Sequence, residues 1–70
     1  MKKIELLKKY DIRRLAKAGI VSPVVVRNMD IYEYWKGRLS SRNPVALTAA
    51  RFGVDTRTVS NAVKDMQSRV

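Results

Sequence analysis

Residues 43–66 read NPVALTAARFGVDTRTVSNAVKDM, and this stretch predicts two helices joined by a tight turn. Asn43 and Pro44 form a start signal, because an asparagine side chain can cap a helix and proline costs nothing at the first helical position. Gly53 ends this helix, since glycine readily adopts the left-handed conformation that follows a helix C-terminus. A second helix then begins at Asp55 or at the next residue, either of which can cap it.

The apolar and small residues of this stretch occupy the positions at which two crossing helices must pack. Ala49 is a small residue four positions before the turn glycine, Gly53, where the helices approach closely. Val54 and the phenylalanine before the glycine fill the wedge between the helices. Val59 and Ala62 follow six and nine positions after the glycine and anchor the second helix.

With these residues in place, residues 45–65 resemble the helix-turn-helix motif of prokaryotic DNA-binding proteins. Small phage, plasmid and bacterial transcription regulators are built around this motif. The resemblance implies that the second helix enters the major groove of double-stranded DNA as a recognition helix. It covers about a third of the chain, and the particular family is not identified by it.

The outward positions of the second helix carry hydrogen-bonding side chains and no acidic residue. Arginine can contact guanine in a bidentate manner and asparagine can contact adenine, while serine and threonine reach bases or phosphates. Asp55 is better explained as a helix cap, because DNA would repel a carboxylate. We expect base readout by Thr56, Arg57, Ser60 and Asn61, and phosphate contacts by Arg42, Arg51 and Lys64.

A further helix is predicted upstream, beginning with Ser22 as its cap and a proline at its first position, and continuing to about Leu39. The valines at 24–26 mildly favour a strand, but Ile31, Trp35 and Leu39 recur at helical spacing and favour a helix. Core or dimer packing is the expected role of the aromatic side chains, which could otherwise stack on bases as in single-strand binders: Tyr32, Tyr34, Trp35 and Phe52.

Residues 15–28 partly repeat the motif, with Gly19 as the turn glycine, Ile20 directly after it and Val25 six residues after the glycine. The repeat lacks two required residues, since Leu15 stands where a small residue belongs and Asn28 where an apolar one belongs. We therefore expect a helix-turn-helix shape used for packing or dimerisation, in preference to a second DNA reader.

The first helical stretch runs from about Lys2 to Ala18, and Asp11 can break it into two shorter helices. Its basic residues are expected on a solvated face. Some of them could lie along the phosphate backbone of bound DNA if this helix is placed beside the duplex. These residues are Lys2, Lys3, Lys8, Lys9, Arg13, Arg14 and Lys17.

Composition narrows the classes of function. Fifteen Lys and Arg against six Asp and Glu give a net charge of +9, which favours a polyanionic partner. The absence of Cys and His removes disulfides, thiol nucleophiles, imidazole bases and the usual zinc ligands. Asp30 and Glu33 share a helix face, but a surface role is favoured over a metal site. We expect no enzyme activity, no cofactor, no metal and no small-molecule substrate.

The sequence therefore predicts a single all-α domain: a small tri-helical helix-turn-helix unit over residues 22–70, preceded by an N-terminal helix or helical hairpin over residues 1–21 that serves packing or dimerisation. With no long apolar run, a cytoplasmic, nucleoid-associated protein is expected that binds no membrane. One recognition helix reads about four base pairs, so a homodimer on a two-fold site is expected.

The leading hypothesis is sequence-specific binding of double-stranded DNA by a transcriptional regulator. Three alternatives stay open: a DNA-recognition subunit of a recombination or packaging assembly, a basic RNA-binding or ribosome-associated module, and a helical protein-interaction domain. The first shares the recognition helix and differs in its partner, the second shows little sequence preference, and the third binds no DNA at moderate salt.

Overall fold

The helices begin close to the start signals predicted at Asp11, Ser22, Asn43 and Asp55. A computed structural model describes residues 1–69, and these form helices without any strand. The helices are α1 (Lys3–Leu7), α2 (Ile12–Lys17), α3 (Pro23–Lys36), α4 (Pro44–Phe52) and α5 (Thr56–Gln67). The all-helical prediction is therefore confirmed. Val70, a further apolar position of the predicted last helix, lies outside the described residues.

The N-termini of the three longest helices are capped by side chains. Ser22, Asn43 and Asp55 each accept a hydrogen bond from a backbone N–H two or three residues further on, at 3.2, 3.1 and 2.8 Å. Proline occupies the first turn of both α3 and α4. These caps satisfy N–H groups that have no partner inside the helix, and the predicted start signals are confirmed.

Three details of the helices differ from or refine the prediction. α3 ends at Lys36, three residues before Leu39, because Gly37 closes it and the N–H of Arg38 donates to the carbonyl of Trp35 in a tighter turn. The valine run at its start is helical. In the N-terminal stretch, Asp11 does break the helix and caps α2.

The main core lies where α3, α4 and α5 meet. Its buried members come from all three helices: Ile31, Ala49, Val59 and Ala62. Half-buried apolar side chains surround them, including Trp35, Phe52 and Val54. Since burying one large aliphatic side chain stabilises a fold by about 1.5–3 kcal/mol, this cluster holds the three helices together.

A second cluster attaches the N-terminal segment to these three helices. Ile4 of α1 packs with Tyr32 of α3 and Met66 of α5, and all three are buried. The backbone N–H of Lys3 also donates to the carbonyl of Ser68 at 2.7 Å. The beginning and the end of the described chain therefore lie side by side.

Six of the seven N-terminal basic residues are exposed, as expected for a solvated face, and Lys3 is half-buried. Three of the seven also form ion pairs, which the sequence did not predict. Lys3 pairs with Asp65 at 3.0 Å, Lys8 pairs with Glu33 at 2.7 Å, and Arg13 pairs with Asp30. The hydrogen bond from Lys8 to Glu33, followed by their charge attraction, raises the pKa of Lys8. Each pair joins α1, α2 or the turn between them to α3 or α5, so the cations serve docking of the N-terminal segment.

The partial repeat at residues 15–28 has the expected turn, and the residue after its turn glycine is exposed. Gly19 adopts a left-handed conformation with φ of 77°, as a turn glycine should. Ile20, which corresponds to the wedge residue after the turn, is 72% exposed and so does not fill the junction between α2 and α3.

Among residues 1–69, no helix is both long and apolar enough to cross a membrane.

Candidate nucleic-acid interface

α5 has one face buried in the protein and the opposite face in solvent. Val59, Ala62 and Met66 are between 0% and 2% exposed, and their spacing places them on one side of the helix. They touch the two core clusters described above, so the helix is anchored along its length. The orientation of its other face is therefore set by packing.

The solvent face of α5 contains each predicted contact residue of this helix. The exposed residues are Thr56, Arg57, Ser60, Asn61, Lys64 and Gln67. Gln67 continues the same stripe at i+3 from Lys64 and was not predicted, although helical spacing could have found it. Its amide can contact adenine in a bidentate manner, but it lies at the end of the helix far from the N-terminal turn.

The two acidic residues near this stripe are both engaged in hydrogen bonds within the protein. Asp65 accepts hydrogen bonds from Lys3 through both carboxylate oxygens, at 3.0 and 3.1 Å. The Asp55 carboxylate accepts from the backbone N–H and from the hydroxyl of Thr58, each at 2.8 Å. These bonds, the backbone one first, lower the pKa of Asp55. The expected capping role of Asp55 is confirmed, and the stripe itself carries no acidic side chain.

The turn between α4 and α5 has the geometry that its glycine implies. Gly53 has φ of 66°, and the N–H of Val54 donates to the carbonyl of Ala49 at 3.1 Å. Ala49 is buried at the crossing of the two helices, and Phe52 and Val54 pack against the main core. These residues hold α5 at a set angle to α4.

Thr48 is a buried polar residue of α4 that sequence reasoning missed. It is fully buried, and its hydroxyl donates to the carbonyl of Pro44 at 2.8 Å. A threonine can satisfy itself in this way inside a helix, so burial does not leave its hydroxyl without a partner. Its position one residue before Ala49, on the inner side of α4, was the available signal.

The phosphate-contact candidates beside α5 lie on three different segments. Arg51 is in the last turn of α4, Lys64 is in α5, and Arg42 lies just before the Asn43 cap. All three are exposed, and within residues 1–69 none of them forms an ion pair. Their positive charges are therefore free to meet an anionic partner.

All six acidic residues of the chain serve internal contacts. Asp30, Glu33 and Asp65 form the three ion pairs, while Glu5, Asp11 and Asp55 accept hydrogen bonds from backbone N–H groups near helix starts. Asp30 and Glu33 thus hold cationic side chains, and the described residues contain no larger cluster that could hold a metal ion. The electrostatic field around the described residues is therefore dominated by Lys and Arg side chains that form no ion pair.

Comparison of this chain with known proteins identifies no similar protein. No protein-family model matches the chain, and neither the curated proteins nor the solved structures contain a significant match. Inference about function therefore starts from the residues of this chain and their geometry.

Proposed function

We propose that this protein binds double-stranded DNA sequence-specifically as a transcriptional regulator, with α5 acting as the recognition helix of a helix-turn-helix unit in the major groove. One observation carries the proposal: α5 divides into a buried anchor face and an exposed stripe of hydrogen-bonding and basic side chains without an acidic one. A major groove about 12 Å wide admits one helix, whose outer side chains then face the base edges.

Base readout falls to the first two turns of α5, since recognition helices contact bases mainly with their N-terminal residues. Arg57 would pair with guanine and Asn61 with adenine, and Thr56 and Ser60 would contact either a base or a phosphate. Arg42, Arg51 and Lys64 would bind phosphates on either side. These unpaired cations supply the part of the affinity that does not depend on sequence.

The protein would act as a homodimer. One short helix reads too few base pairs to select a site, and a second copy about 34 Å away, one helical turn along the DNA, is the usual remedy. The bound site would then be two-fold symmetric, and the protein would be found with the nucleoid.

The test is selection of bound sites from random double-stranded DNA, followed by binding measurements on the selected site. A two-fold symmetric consensus sequence supports the proposal. A selected pool without any common sequence, or preferential binding of RNA, contradicts it. Failure to bind DNA at moderate salt also contradicts it and favours a protein-interaction domain.

The second part of the test compares Arg57→Ala and Asn61→Ala with Arg14→Ala, an exposed arginine of α2 that removes the same charge as the first. Each α5 variant should lose about 1–3 kcal/mol of discrimination between the selected site and a mutated site, and keep most non-specific binding. The Arg14 control should keep its discrimination. If both α5 variants keep the wild-type preference for the selected site over the mutated site, the assignment of base readout is wrong.

A further inference from the structure

Arg38, two residues after the end of α3, lies over an aromatic ring and uses few of its N–H donors within the protein. Its guanidinium carbon lies 4.6 Å from the centre of the Tyr34 ring, and the side chain is exposed. One amino group donates to the carbonyl of Gly37 at 3.4 Å. A guanidinium has five N–H donors in its plane, so the cation–π contact with the ring leaves most of them available.

The ring below Arg38 is itself fixed to the hydrophobic core. Tyr34 contacts Phe52 edge to face, with ring centres 5.8 Å apart and planes at 89°. Phe52 packs against the main core cluster and is the last residue of α4, directly before the turn glycine. A continuous set of contacts therefore runs from the core through two aromatic rings to the arginine.

We propose that Arg38 is a backbone-phosphate site for DNA, positioned by Tyr34. This inference rests on the proposed function, and the ligand is a phosphodiester group bordering the groove that α5 enters. The two stacking steps of 4.6 and 5.8 Å start from Phe52 at the end of α4, and α5 begins four residues later. Through Tyr34 and Phe52, Arg38 is therefore linked to the end of α4 and to the turn that leads into the proposed recognition helix.

The stacked geometry suits phosphate better than an unsupported surface arginine would. A planar guanidinium offers two parallel N–H groups to two phosphate oxygens. Holding the side chain on Tyr34 in the free protein lowers the loss of conformational freedom on binding. By contrast, Lys36 lies 6.0 Å from the Tyr32 ring, at the limit of such an interaction, and has no planar fork.

The test measures binding of the full chain to its selected DNA by fluorescence anisotropy over about 50–200 mM salt. Arg38→Ala should weaken binding on the order of tenfold and reduce the salt slope by about 0.9, as expected for one lost phosphate contact. Because the contact is to the backbone, selected and mutated sites should weaken equally. Arg27→Ala, at an exposed arginine of α3 that is no predicted DNA contact, removes the same charge and should change both quantities less.

Two further variants separate charge from positioning. Arg38→Lys should restore the salt slope but only part of the affinity, because it keeps the charge and loses the planar fork. Tyr34→Leu should leave the slope unchanged and weaken binding severalfold, and circular dichroism shows whether this variant is folded. Arg38→Lys, which disturbs no core contact, keeps the test decisive if Tyr34→Leu does not fold.

The outcomes distinguish this inference from the proposed function. If wild type selects a site and Arg38→Ala behaves like Arg27→Ala, the phosphate site is refuted and the role of α5 stands. If Arg38→Ala changes preference between sites, Arg38 reads bases and the backbone assignment is wrong. If wild type binds no DNA, both proposals fall.

Discussion

Substitution of Gly53 measures how much a glycine at the α4–α5 turn contributes to the free energy of unfolding. The residue has φ of 66°, and an added β-carbon would find no atom within 4 Å. The penalty for a larger residue therefore comes from backbone conformation and not from a clash. A left-handed conformation costs a non-glycine residue about 1–2 kcal/mol, so Gly53→Ala should lower the free energy of unfolding by that amount. For a domain of this size, each kcal/mol corresponds to about 4–8 °C in melting temperature.

Gly37 provides a matched control within the same chain. It has φ of −74°, in the right-handed region, and a β-carbon there would meet only carbonyl oxygens at 3.6 and 3.7 Å, which is ordinary contact. Alanine fits this conformation and restricts the unfolded chain. Gly37→Ala should therefore raise the free energy of unfolding by about 0.4–1 kcal/mol.

Urea unfolding followed by circular dichroism measures both variants, together with Gly53→Asn. Asparagine tolerates the left-handed region better than alanine, so Gly53→Asn should lose less stability than Gly53→Ala. If Gly53→Ala is as stable as wild type, or if Gly37→Ala is the less stable of the two alanine variants, the reasoning about this turn is wrong.

Two other predictions concern stability. Ile31→Ala should cost about 2–5 kcal/mol because the side chain is fully buried at the centre of the main core, while Leu39→Ala, at a residue 54% exposed, should change stability by less than about 0.5 kcal/mol. Equal urea midpoints for these two variants would contradict the described core. Because the pKa of Asp55 is lowered in the folded protein, its cap contributes its full stabilisation at pH values above the ordinary pKa of an aspartate. This stabilisation is lost as the pH falls through the lowered pKa of the folded state. Thermal melts between about pH 6 and pH 2 should therefore show a smaller acid-induced loss for Asp55→Asn than for wild type, and equal losses would refute the effect.

Short-range signals in the sequence determined the helix starts, the turn and the division of α5 into a buried and an exposed face. Ser22, Asn43 and Asp55 cap helices through bonds to backbone groups at most three residues away, so neighbouring residues suffice to predict them. The buried face of α5 follows from helical spacing alone, and the exposed stripe is its complement. These features needed no knowledge of the rest of the fold.

Long-range contacts were decided only by the tertiary structure. Lys3 and Asp65 are 62 residues apart and Arg13 and Asp30 are 17 apart, and nothing in their local sequence distinguishes them from solvated charges. Arg38 acquires its position because the Tyr34 ring is turned onto Phe52 by packing between α3 and α4. The physical reason is the same in each case: a cap bonds to its neighbours along the chain, whereas an ion pair or a stacked ring needs a partner that only the packing of helices brings near.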